Sequence, residues 1–114
     1  MNIGQDVKIY IALKEVDLRL GIDGYALLVR DRLHLDPFSE AIFLFTNKRH
    51  NRLKILYWDY NGFWLFYKRL EEGCFKWPKR SDETLLIAKE ELSRLLKGLP
   101  VCEEGFKEVK RRFL

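Results

Sequence analysis

Nine of the chain's 16 aromatic residues stand within the 25 positions KILYWDYNGFWLFYKRLEEGCFKWP, Lys54 to Pro78. The stretch alternates about Asn61-Gly62, a pair that tolerates positive φ and marks a tight hairpin turn. Alternation places Lys54, Leu56, Trp58, Tyr60, Phe63, Leu65, Tyr67 and Arg69 on one face. The other face takes Leu53, Ile55, Tyr57, Asp59, Trp64, Phe66, Lys68 and Leu70. Both faces are aromatic, whereas a sheet with helices on one side buries only one face. Two readings follow. Either one aromatic face meets a partner, with nucleic-acid bases stacking at roughly 1–3 kcal/mol each, or both faces are the core of a small protein. The expected division is Ile55, Tyr57, Trp64 and Phe66 in the core, with Trp58, Tyr60 and Tyr67 toward a partner surface.

The rest of the chain supplies elements to pack against this hairpin. DVKIYIAL (6–13) alternates Val7, Ile9, Ile11 and Leu13 against Lys8, Tyr10 and Ala12, the pattern of a half-buried strand. IDGYALLVRDRL (22–33) spaces Ile22, Tyr25, Ala26, Val29 and Leu33 as a helix, with Asp17 or Asp23 available to cap or charge-stabilise its start. Pro37 ends it. AIFLFT (41–46) reads as a strand buried on both faces, followed by the polar, basic loop NKRHNR (47–52). After the hairpin come a turn at Glu71-Glu72-Gly73, a strand CFKW (74–77) stopped by Pro78, and a further strand TLLI (84–87). A short helix KEELSRLLKG (89–98) closes the series with Gly98 as its stop. The prediction is α+β: an antiparallel meander sheet of four to five strands with two helices. Residues 1–100 form a single small domain in this reading, and 101–114 a loose basic tail.

At 114 residues the chain suits one domain with one core. No apolar run approaches the roughly 18–20 residues that span a bilayer, and the N-terminal sequence lacks signal-peptide features, so a cytoplasmic location is expected. Net charge is +4 with a pI near 9.1, compatible with nucleic acid. The distribution is more telling. Lys48, Arg49, Arg52 and Lys54 fall within seven residues without an acid between them, and Lys76, Lys79 and Arg80 follow the aromatic stretch. Clustered cations on a hairpin loop neutralise phosphates and release counterions; equally, a charge run can be a solvated loop. Arg69 shares a face with Lys54, Trp58 and Tyr67, and so joins that patch in preference to Lys68.

The chemistry of a catalytic centre is weakly represented. Cys74 and Cys102 are the only cysteines and His34 and His50 the only histidines, none at metal-ligand spacing. Both cysteines read as reduced, half-buried small hydrophobes. Asp17, Arg19, Asp23 and Asp36 could be assembled into a metal-dependent nuclease site, but turn and capping roles explain these acids more simply. His34 reads as a helix-end histidine at the dipole, and Asp59 as an Asx-turn residue.

VDLRLGIDG (16–24), LDPFSEAIFLF (35–45), NKRHNRLKILYWDYNGFWLFYKRLEEGCFKWP (47–78) and LLKGL (95–99) resemble the small TnpB accessory proteins of the insertion sequence sixty-six transposon family. That family's pattern reads T-D-M-R-K-G-x-D-G, D-P-F-S-G, a basic turn, K-x-L-x-W-D-x-x-G, Y-K-R-L-E-x-G-x-F-x-W-P and a late L-L-x-G. Here Val16, Leu18 and Leu20 replace Thr, Met and Lys, while His50 and Asn51 stand where the turn has Gly and an acid.

The resemblance implies a non-catalytic transposition factor assisting a separate transposase. The implied partners are that transposase, a second accessory protein of the same element and transposon-end DNA, with no cofactor, metal, membrane or small-molecule substrate. In a bacterial cell it would be cytoplasmic, and nucleoid-associated when DNA-bound. The candidate DNA contacts are Arg19, Lys48, Arg49, Arg52, Lys54, Arg69 and Lys76. The alternative is an assembly factor that docks on the transposase through Trp58, Tyr60 and Tyr67, with the cations as steering charges.

Overall fold

The β3–β4 hairpin of the computed structural model, Arg52–Asp59 paired with Gly62–Arg69, keeps the two faces that alternation assigns. Lys54 is opposite Tyr67, Leu56 opposite Leu65, and Trp58 opposite Phe63. The structure describes residues 4 and 6–100; the tail 101–114 and its Cys102 lie outside them. The turn itself differs from expectation. Asp59 pairs with Gly62, so the two loop residues are Tyr60 and Asn61, and Tyr60 takes the positive φ of 60°. Gly62 opens the second strand instead of turning the chain.

Before the hairpin come β1 (Lys8–Ala12), α1 (Ile22–Asp31) and β2 (Ala41–Thr46); after it come β5 (Thr84–Ile87) and α2 (Lys89–Leu96). Among the described residues the fold is α+β, with two helices and a five-stranded sheet ordered β4-β3-β2-β1-β5. A meander describes only β2, β3 and β4. β1 pairs with β2 in parallel, and β5 then lies antiparallel to β1. Parallel pairing needs a crossover, and α1 supplies it. Every residue of β2 is buried, as its unbroken apolar run predicts for a central strand.

Each face of the sheet has its own core. α1 sets Tyr25 and Val29, and the turn after it sets Leu33, on Phe43, Phe45 and Leu56. The opposite face buries Ile9, Ile11, Ile42, Leu44, Leu53 and Ile55 under Phe75, Trp77, Leu92 and Leu95. Each large apolar side chain so buried contributes about 1.5–3 kcal/mol. Residues 74–77 were expected to be a strand, but among the described residues they pair with no strand. Their period-2 pattern serves a different purpose: Phe75 and Trp77 turn inward as a cover, while Cys74 and Lys76 face solvent. Trp77 Nε1 donates to the Ala12 carbonyl at 3.0 Å, which locks this cover to β1. Cys74 is therefore an exposed thiol rather than a half-buried one. α2 ends as the sequence predicts, with Gly98 at a φ of 81° just past its last turn.

The second face is covered only in part, and this corrects the expected division of aromatics. Ile55 is core, but Tyr57 and Phe66 are half-buried and Trp64 is 54% exposed. Phe75, Trp77 and α2 protect the Leu53–Ile55 end; toward the hairpin tip the cover stops, and β4 is an edge strand. Trp64 stacks on Phe66 with ring centres 5.8 Å apart and donates from Nε1 to the Asp59 carboxylate at 3.1 Å. Asp59 thus anchors Trp64 with its side chain, in place of the expected Asx turn.

Candidate nucleic-acid interface

Three parts of the chain meet at one end of the sheet: the 16–20 loop, the 47–51 turn that runs on into Arg52–Lys54, and the Tyr67–Arg69 end of the hairpin. Three hydrogen bonds set the 16–20 loop in place. Val16 N–H donates to the Thr46 carbonyl at 3.0 Å, the Tyr25 hydroxyl donates to the Asp17 carbonyl at 2.9 Å, and Lys54 Nζ donates to the Leu20 carbonyl at 3.2 Å. Asp17 does not cap α1; Gly21 stands at that cap, and Asp23 lies in the first turn as expected. The Asp17 carboxylate instead takes both Nε and Nη2 of Arg19 at 3.0 Å. Those side-chain bonds, followed by the Arg19 backbone N–H, hold the Asp17 carboxyl down at about 2. Burial pushes the Tyr25 phenol up to about 12, with the charge of Asp17 as the lesser cause.

The basic turn is built on Asn47. Its Oδ1 accepts from the N–H groups of Asn51 and Arg52 at 3.2 and 3.1 Å, and its Nδ2 donates to Asn51 Oδ1 at 2.8 Å. His50 adopts a φ of 57°, a left-handed conformation that favours glycine, at the position where the resembling family carries Gly. Its ring stacks on Trp77, 6.2 Å between centres and 8° between planes. The turn therefore rests on the cover of the opposite face, with Lys48 and Arg49 exposed at its end.

Between the loop and the hairpin lies an open cleft of about 540 Å³, whose lining includes Asp17, Arg19, Arg52, Lys54, Leu65 and Tyr67. Lys54 is one of its lining residues, its ammonium 5.6 Å from the ring centre of Tyr25 and 5.7 Å from that of Tyr67. Arg69 is the cross-strand partner of Arg52, and Glu71 holds its guanidinium at 3.0 Å and raises its pKa. Among the described residues, Lys48, Arg49, Arg52 and Lys54 form no ion pair with a carboxylate, although the charge of Lys54 helps to lower the Asp17 pKa. Such a site can neutralise phosphate and offer a half-exposed ring for stacking.

The predicted residues thus divide. Arg19, Arg52, Lys54 and Tyr67 line the cleft; Lys48, Arg49 and Arg69 stand beside it. Lys76 belongs to the segment that crosses the opposite face and does not line the cleft. Trp58 and Tyr60 lie at the other end of the hairpin, Trp58 roughly 13 Å along the strand from Lys54, at ~3.3 Å per residue. There Phe38 packs against Trp58 and Phe63 at 5.0 and 5.3 Å. Phe38 is 56% and Tyr60 92% exposed. Sequence reasoning missed Asn47, Tyr25 and Phe38. For Asn47 the signal was present, since an Asn opening a polar run before a strand is a turn-former. For Tyr25, helical spacing marked burial but could not reveal the hydroxyl's target. Two acids of the nuclease reading are otherwise engaged: Asp17 by Arg19, and Asp36 by the N–H of Phe38 at 2.9 Å. Among the described residues no three of His, Cys, Asp and Glu gather to hold a metal ion, and no helix is long and apolar enough to cross a membrane.

Comparison with known proteins bears on this arrangement. The uncharacterized protein y4jC of Sinorhizobium fredii is 40% identical over 105 residues, covering 92% of this chain and 90% of that protein. The uncharacterized protein y4hO of the same organism is 36% identical over 96 residues, covering 84% of each. No solved structure matches the chain. The family model described as IS66 Orf2-like protein matches residues 7–105, a span that holds the cleft, the basic turn and both cores, and the chain belongs to that family of insertion-sequence proteins.

Proposed function

We propose that the protein is a non-catalytic accessory factor of transposition that binds DNA of its element through the cleft and the basic turn. Family membership supports the transposition role. The observation that carries the DNA-binding reading is the convergence of Arg52, Lys54, Lys48 and Arg49 at one end of the sheet, outside any ion pair among the described residues and beside the Tyr67 ring. Cations outside ion pairs keep most of their attraction for phosphate, with Lys54 partly offset by the nearby Asp17 carboxylate, and polyanion binding releases condensed counterions. Arg19 and Arg69 act at the margin, each already sharing its charge with an acid.

The test is fluorescence anisotropy of labelled transposon-end DNA against scrambled DNA over a salt series. Binding should weaken steeply with salt and be lost when Lys48, Arg49 and Arg52 are reversed to Glu. Preference for the end sequence would add end recognition. No binding at low salt would refute the reading.

A second reading is favoured by the aromatic tip, where Tyr60, Phe38 and Trp64 are exposed. In it this end docks on the transposase, and the cations steer the encounter. Capture of purified transposase, abolished by Tyr60→Ala with Phe38→Ala and indifferent to the basic-turn reversals, would support it over DNA contact.

A further inference from the structure

We infer that the cleft takes one unstacked nucleotide of single-stranded DNA, its base against Tyr67 and its phosphates on Arg52 and Lys54. This rests on the DNA-binding reading and adds to it the form of DNA recognised. The cleft's size, about 540 Å³, lies within the ~300–1,000 Å³ range of sites that enclose small organic groups. Its lining combines the two chemistries that an unpaired nucleotide presents together. Tyr67 and Leu65 offer an apolar wall, and Tyr67 is 52% exposed. Arg52 and Lys54 offer cations beside this wall: Lys54 stands directly opposite Tyr67 on the ladder, and Arg52, opposite Arg69, lies two pairs further toward the turn. A paired, stacked duplex shows such a cleft sugar, phosphate and base edges; away from its ends its base faces are hidden. Stacking on an aromatic ring requires an exposed base face, and every base has one.

Two further features fit a strand instead of a free nucleotide. Leu65 and Tyr67 belong to β4, the edge of the sheet, so a polymer can leave the cleft past that edge. Lys48 and Arg49 stand in the turn between the cleft residues Asn47 and Arg52, where they meet the next phosphates. Recognition should tolerate any base. The carboxylate of Asp17 is held by Arg19, and the Asn47 amide is bonded within the turn. Lys54 is held over Tyr67 in advance of binding by its bond to the Leu20 carbonyl, which leaves two ammonium protons for a ligand.

The experiment compares, at one salt concentration, the full chain's affinity for a labelled blunt duplex, for each of its strands alone, and for the duplex with a single-stranded extension. A 2-aminopurine placed in the extension reports stacking. The expected result is at least tenfold tighter binding to single strands and extended duplex, with quenching of the 2-aminopurine. Tyr67→Ala should remove about tenfold of that affinity together with the quenching, and Tyr67→Phe should keep both. Equal or tighter binding to the blunt duplex, unaffected by Tyr67→Ala, would overturn the inference while leaving DNA binding intact. Absence of binding to every DNA would overturn both.

Discussion

The ammonium of Lys54 lies 5.7 Å from the centre of the Tyr67 ring, and the two residues face each other across the β3–β4 ladder. The same ammonium lies 5.6 Å from the Tyr25 ring and donates to the Leu20 carbonyl. One cation thus joins the hairpin, the first helix and the 16–20 loop. Lys54→Met keeps the apolar stem but removes these links. The variant should lose about 1–2 kcal/mol of stability, since exposed cation–π contacts and single hydrogen bonds each contribute around 1. Its slope of log affinity against log salt should shrink by about 0.7–0.9, one phosphate contact. Lys79→Met, at an exposed site distant from the cleft lining, is the control and should change neither. Thermal melting and anisotropy read the two effects separately.

Tyr25 gives the protein an alkaline signature. Burial keeps its phenol protonated in the folded state up to about pH 12, while an unfolded chain ionises it near 10. The contribution is fully present below pH 10 and declines as the pH rises from about 10 to 12, because only the unfolded state releases the proton in that window. Tyr25→Phe should lose roughly 1 kcal/mol at neutral pH with its bond to the Asp17 carbonyl. It should also flatten the fall of stability between pH 10 and 12 relative to the parent. Urea titrations at pH 7, 10 and 11.5 give the comparison; parallel declines in both proteins would refute it.

Trp77 couples the cover of the second face to the edge of β1. Trp77→Phe leaves the buried Ala12 carbonyl without its donor at 3.0 Å and opens space beside His50. A loss of about 1–3 kcal/mol is expected from the unpaired group, seen as a lower urea midpoint at unchanged slope. Because His50 loses its stacking surface, the amide protons of the 47–51 turn should also exchange faster. Protection unchanged in the turn would show that the turn stands without Trp77.

Tyr60 occupies a conformation that costs a side-chain-bearing residue about 1–3 kcal/mol, yet it is 92% exposed and gains little by burial. Tyr60→Gly should stabilise the fold by roughly 1 kcal/mol, after glycine's own entropic cost is offset. The melting temperature should rise about 4–8 °C for a domain of this size. Should transposition of the element fall at the same time, Tyr60 is retained for contact rather than for folding. A rise in stability without loss of transposition would remove the tip from the functional surface.

Alternation alone placed Lys54, Tyr67 and Arg69 on one face of a hairpin, because side chains in a strand follow a period of two whatever the rest of the chain does. Helical spacing likewise located α1 and α2, and the unbroken run of Ala41–Thr46 located a central strand. These are local properties, written in consecutive residues. What covers each face is not local. The same alternation that makes 74–77 look like a strand lets Phe75 and Trp77 cover the opposite core, and only the docked chain distinguishes the two. The parallel pairing of β1 with β2 was hidden for the same reason: it depends on where α1 returns the chain. Trp64 was assigned to the core because its face is apolar, and it is exposed because the cover ends short of the hairpin tip. The cationic residues of the turn were legible as a cluster. Their meeting with the 16–20 loop around a cleft was decided by tertiary contacts, through Tyr25, Thr46 and Lys54, across gaps in sequence that no periodicity spans.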